Sequence, residues 1–139
     1  MKLSDINPLF RILAKEPNAD EAEIFQMQAR FGVVKEEYRE LIREATDVEL
    51  QHKDGYYFRI WGPLTCIDMD EGYKIGEWIP GAVPIGDNGG GKVVFYFNGL
   101  RGSGLYIVGF GDLVADDAVW ICSSLDELLG ACSGVETLE

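Results

Sequence analysis

From Gly86, the run Gly86-Asp87-Asn88-Gly89-Gly90-Gly91-Lys92 has the spacing of a phosphate-binding loop: a glycine, four residues, a second glycine and a lysine. In such a loop the backbone N–H groups cradle phosphates. A Ser or Thr after the lysine holds magnesium, and a helix N-terminus faces the anion. Here Val93 follows the lysine, and Val93–Phe97 is a run of apolar, mostly β-favouring residues. The glycines therefore read as a tight polar turn leading into a strand, and no nucleotide or other cofactor is expected.

The remaining reactive residues form no complete catalytic set. His52 is the single histidine and sits in the polar stretch Gln51-His52-Lys53-Asp54-Gly55, which reads as a turn between helix and strand. A catalytic histidine needs a nucleophile and an orienting group. Cys66 and Cys122 lie in apolar, strand-like surroundings, where a buried inert thiol is expected. The three cysteines, with Cys132, have no Cys-x-x-Cys spacing, so no zinc site is read and a reducing, cytoplasmic setting is expected. Asp68-Met69-Asp70-Glu71-Gly72 begins like a calcium loop but has Gly72 where a third Asp or Asn belongs and Tyr73 where the glycine belongs. It reads as an acidic turn, and no metal is expected. Asp116 and Asp117 are adjacent, and neighbours on one loop usually point apart, which disfavours paired acid–base work.

Charge gives a more definite signal. Twelve basic and twenty-four acidic residues leave a net charge of −12. After Arg101 there is no Lys or Arg, while Asp112, Asp116, Asp117, Asp126, Glu127, Glu136 and Glu139 add seven negative charges. Such a field repels nucleic acid and anionic membranes and attracts basic proteins, although it also serves solubility alone. The expected partner surface is built from Asp112, Asp116 and Asp117, joined by Asp68, Asp70, Glu71 and Asp87. No apolar run approaches the ~20 residues of a membrane span, and the first residues carry no apolar signal-peptide core.

The elements that must carry these residues read as α+β. Helices are expected over Ser4–Lys15, Asp20–Phe31 and Lys35–Ala45, with Asp20 and Glu23 as a capping box and Gly32 as a stop. Strands are expected at Tyr56–Trp61, Tyr73–Trp78, Val93–Phe97, Leu105–Val108 and Val119–Ile121, in a mainly antiparallel sheet. Val93–Phe97 and Leu105–Val108 are apolar throughout and should be adjacent central strands. A closing helix is expected from about Ser124, burying Leu125, Leu128 and Leu129. The 139 residues suggest one domain, with its core at about 20–130.

Several short stretches, taken in order, resemble the SUKH superfamily in its SMI/KNR-type branch. They are Glu23, Phe31-Gly32 and Tyr38; Ile85-Gly86-Asp87-Asn88-Gly89-Gly90 ahead of a hydrophobic strand; Val108; and Ser124-Leu125-Asp126-Glu127-Leu128-Leu129. The similarity covers roughly Asp20 to Gly130. The chain departs from the family pattern at Val34-Lys35 and at Thr46-Asp47-Val48. The resemblance implies a non-catalytic, protein-binding α+β domain. Many bacterial members resemble immunity proteins that bind and neutralise a toxin domain; others are regulatory interaction modules. A nuclease toxin must be basic to hold phosphates, so an acidic inhibitor suits it. The remaining alternative is a small hydrolase using a cysteine or paired carboxylates.

Overall fold

A computed structural model describes residues 1–139. It is an α+β fold built on one seven-stranded sheet whose spatial order, β1-β2-β3-β4-β5-β6-β7, is the order of the chain, with every neighbouring pair antiparallel. The strands are β1 (Phe10–Glu16), β2 (Thr46–His52), β3 (Tyr57–Ile60), β4 (Val83–Asp87), β5 (Lys92–Gly99), β6 (Gly102–Gly109) and β7 (Val119–Cys122). Helices α1 (Glu21–Phe31) and α2 (Glu36–Ile42) connect β1 to β2, and α3 (Pro63–Tyr73) and α4 (Ile75–Trp78) connect β3 to β4. No helix is long and apolar enough to cross a membrane.

The centre of the sheet follows the hydrophobic pattern. Val93–Tyr96 and Leu105–Val108 are buried at every position, and β5 pairs with β6 in unbroken register from Lys92↔Gly109 to Gly99↔Gly102. Helix α1 starts where Asp20 accepts the Glu23 N–H at 2.8 Å and stops at Gly32, whose φ of 85° an L side chain disfavours. Helix α2 buries Tyr38, Leu41 and Ile42. The Tyr38 hydroxyl donates to the Trp61 carbonyl at 2.6 Å and lies 3.3 Å from the Cys66 sulfur, which ties α2 to the start of α3.

Several expectations are corrected. The stretch expected as a Ser4–Lys15 helix is a short 3₁₀ turn, Leu3–Asp5, followed by edge strand β1. Its apolar spacing suits a helix face, but Phe10–Glu16 gains ladder bonds to β2, and tertiary pairing overrides local periodicity. Strand β2 lies outside the expected strands, and Val48, Leu50 and His52 alternate inward along it. His52 is therefore not in a polar turn but buried at the end of β2, with its ring 5.2 Å from that of Phe10.

Tyr73–Trp78 is not a strand. It is the end of α3, a left-handed residue at Lys74, and the single turn α4. Asp68–Gly72 is correspondingly helical, and Cys66 is a helix residue. Pro63 at the first turn starts α3, and the Asp70 carboxylate accepts the Gly76 N–H at 2.8 Å, fixing the joint. The closing helix is one π-helical turn, Asp126–Gly130, followed by a 3₁₀ turn at Val135–Leu138. Ser124 caps it by accepting the Glu127 N–H, and Leu125, Leu128 and Leu129 are buried as expected.

Candidate functional site

The glycine-rich run is a strand connection whose polar atoms bond inward. Asp87 ends β4 and Lys92 begins β5. Asp87 Oδ2 accepts from Trp61 Nε1 at 2.6 Å and Arg59 Nε at 3.0 Å, while its Oδ1 accepts from the Gly89 N–H at 2.8 Å. Asn88 Oδ1 accepts from the N–H groups of Gly90 and Lys92, and its Nδ2 donates to the Leu138 carbonyl. Two N–H groups that a phosphate would need are thus held by Asn88. The Lys92 ammonium donates to the Glu139 carbonyl at 3.0 Å.

The candidate acidic residues fall in three places: on α3, at the end of β4 where Asp87 stands, and in the β6–β7 loop. On α3, Asp70 is buried, with its Oδ2 2.7 Å from Arg30 Nε, and Glu71 lies 3.3 Å from the same guanidinium. Asp68 is exposed on that helix. Asp70 and Asp87 are both committed to internal bonds. A carboxylate placed that way stabilises its own loop or helix joint and offers little free charge to a partner.

The third group lies on the β6–β7 loop. The β6–β7 loop bends Asp112 back over Gly109, with the Asp112 N–H donating to the Gly109 carbonyl at 3.0 Å. A 3₁₀ turn, Ala115–Asp117, then presents Asp116 and Asp117 to solvent. An open groove of about 610 Å³ runs between this loop and the C-terminal turn. Its floor is Ile107, Val108, Gly109 and Val119; Asp112, Asp117, Glu136 and Glu139 supply four carboxylates, and Lys92 is its one cation. Asp116 is exposed beside it but does not line it.

Asp112 and Asp117 both line the groove. A hydrogen bond from one to the other and the Asp112 charge push the Asp117 carboxyl above its ordinary range. Two carboxyls in that relation favour either a shared proton or a cation beside them. Glu136 and Glu139 complete the groove and were not singled out from sequence. Both belong to the lysine- and arginine-free stretch after Arg101, so the signal was present in the charge count.

The residues of nucleophilic type are placed otherwise. Burial pushes the Cys66 thiol up to about 12 and that of Cys122 up to about 11. Cys122 lies in β7, as read, and its sulfur donates to the Ser124 carbonyl. His52 Nδ1 accepts the Asp54 N–H at 3.1 Å, and its enclosed Nε2 has no partner. No group of three or more His, Cys, Asp or Glu side chains is arranged to hold a metal ion.

One carboxylate has a structural role that sequence reading missed. Glu37, on α2, is half-buried. It accepts from the Tyr96 hydroxyl at 2.6 Å and from the N–H groups of Leu125 and Asp126 at 2.7 and 3.2 Å. It thereby caps the closing turn from a different element and pins α2 to β5. Burial, and then the Glu37 charge, raise the Tyr96 hydroxyl well above its ordinary value. No protein-family model matches the chain, and no curated protein matches it.

Proposed function

We propose that this chain is a non-catalytic protein-binding domain that takes a basic partner on the groove between the β6–β7 loop and the C-terminal turn. The observation that carries the reading is the convergence of Asp112, Asp117, Glu136 and Glu139 around one apolar-floored groove. Four carboxylates against one ammonium give a field that steers cationic proteins in and suppresses anionic ones. The high thiol values of Cys66 and Cys122 support a binding role over cysteine hydrolysis, since the thiolate is the nucleophile. Three free cysteines fit a reducing, cytoplasmic setting.

The partner best suited to this field is a toxin domain of the nuclease kind, which must itself be basic to hold phosphates. The resemblance of Glu23, Phe31-Gly32, Tyr38 and the Ile85–Gly90 run to the SUKH superfamily supports an immunity role on independent grounds. The protein would occupy the basic surface by which the toxin holds nucleic acid. The test is co-expression with the C-terminal domain of a toxin encoded beside this chain. The account expects cells to survive with the wild-type chain and to lose protection when Asp112, Asp117, Glu136 and Glu139 are replaced together by Asn and Gln. Equal protection by that variant, at equal expression, would contradict it.

A further inference from the structure

Arg11 stands apart from every other arginine of the chain. Arg30, Arg39, Arg43 and Arg59 pair with carboxylates, and Arg101 lies over the Trp120 ring. Arg11 is exposed on β1 and has no such partner, although acidic residues outnumber basic ones twenty-four to twelve. It stands directly opposite Gln51, and the Lys53 N–H donates to the Leu9 carbonyl at 2.9 Å, which carries the β1–β2 pairing past the end of β2. Side chains alternate across a strand, so Arg11, Gln51 and Lys53 share one face, while Phe10 and buried His52 share the other. Arg11 and Lys53 are diagonal neighbours on that face, a spacing that long side chains bridge. With Gln51 they line an open pocket of about 450 Å³ that no Asp or Glu lines. Glu49, two residues back on the same face, instead accepts the Tyr57 hydroxyl at 2.5 Å.

We infer that this pocket is an anion site that takes one phosphoryl group, with Arg11 and Lys53 as its two cations. It shares no residue with the acidic groove and does not depend on it. The side chains of Arg11, Lys53 and Gln51 offer a guanidinium fork, an ammonium and a carboxamide N–H pair. A phosphoryl group answers such a set with three acceptor oxygens and close to two negative charges, whereas a carboxylate has two oxygens and one charge. The unpaired guanidinium is the main recognition element, because its planar fork binds phosphate through two parallel bonds. A net charge of −12 repels a polyanion, so the ligand is a single phosphoryl group, on a small molecule or on a phosphorylated side chain, rather than nucleic acid.

The probes are inorganic phosphate and a short glycine–serine peptide with one phosphoserine. The same peptide with Ser or Glu at that position is the control. Each is titrated into the full chain at about pH 8, where the phosphoryl group is a dianion. Binding is followed by NMR through the Arg11 Nε–H and the Gln51 carboxamide signals. The expected result is saturable shifts of those signals with the phosphorylated probes, and binding of the Ser and Glu peptides weaker by about ten-fold or more. Arg11→Met and Lys53→Met should each weaken the phosphopeptide by a similar factor, and Arg11→Lys, which keeps the charge and loses the fork, should weaken it as well. Both residues are exposed, and thermal melts of these variants should match the wild type, separating lost binding from lost fold. Tighter binding of the phosphopeptide than of inorganic phosphate assigns a phosphorylated side chain, and equal binding assigns a free phosphoryl compound; either supports the site. Equal binding of the Glu peptide, unchanged constants in Arg11→Met and Lys53→Met, or no shift with either phosphorylated probe overturns it. None of these results bears on the acidic groove, whose residues are untouched in every variant.

Discussion

Trp61 Nε1 donates to Asp87 Oδ2 at 2.6 Å, and this bond joins the entry of α3 to the end of β4. The same oxygen receives Arg59, and the partner oxygen receives Gly89. The acidic residue of the glycine-rich run is therefore the keystone of a turn. Replacing Asp87 by Ala leaves a buried indole N–H without an acceptor, which costs ~1–3 kcal/mol on its own. Asp87→Asn keeps one acceptor oxygen and should recover part of that loss. Urea unfolding of the two variants checks this; a loss below ~0.5 kcal/mol for Asp87→Ala, an ordinary surface-substitution value, would contradict the role.

Two glycines should respond oppositely to Ala. A Cβ at Gly86 would stand 2.3 Å from the Arg59 carbonyl oxygen and 2.5 Å from a Phe58 ring carbon, neither of which is a yielding side-chain end. Overpacking of that kind costs ~1–3 kcal/mol. At Gly72, within α3, a Cβ meets nothing within 4 Å, and Ala is preferred to Gly in a helix by up to ~1 kcal/mol. Thermal midpoints should fall for Gly86→Ala and hold or rise for Gly72→Ala.

Both results would bear on what the sequence makes legible. The β5–β6 centre was readable because apolar residues at every position leave no alternative to a covered strand. Helix α1 was readable because its cap and stop are local. Phe10–Glu16 was not, because it is decided by pairing with β2 far along the chain, and Tyr73–Trp78 was not, because an alternating apolar pattern hides the helix joint that the Asp70 carboxylate fixes on Gly76. The site divides the same way. Asp112, Asp116 and Asp117 are exposed near one groove as their loop position implied, whereas Asp70 and Asp87 became internal acceptors through Arg30, Trp61 and Arg59.

The three cysteines should titrate in order of enclosure. Cys66 and Cys122 are buried and their thiols lie at about 12 and about 11, so neither yields much thiolate at pH 8. Cys132 is half-buried, and burial and the Asp54 charge raise its thiol. A thiol reagent should label one cysteine rapidly in the native protein and three in denaturant. Cys132→Ser should abolish the fast phase, and fast labelling of Cys66 would contradict the packing of Tyr38 against it.

Alkaline pH should destabilise the fold through these same groups. The folded chain holds the Cys66 proton up to about 12, against an ordinary thiol value of 9.0. The unfolded chain therefore releases that proton first as pH rises. The stability linked to Cys66 is complete below about 9 and is lost between there and about 12. Buried Tyr38 and Tyr96, both raised by burial, act in the same direction. Urea midpoints measured over that interval should fall, and Cys66→Ala should flatten the slope relative to the wild type. A rise in stability over the interval would reverse the assigned sign.

The central claim is that an acidic groove steers a basic partner onto this chain, and its most direct test is the salt dependence of association. The association rate with a basic toxin domain should be measured from low salt through ~0.15 M, where screening acts beyond about 8 Å. The account predicts a steep fall for the wild-type chain. It predicts a slower and much flatter dependence when Asp112, Asp116 and Asp117 are replaced together by Asn, with the dissociation rate less affected. An unchanged rate and an unchanged salt slope in that variant would contradict the claim and place the partner on another face.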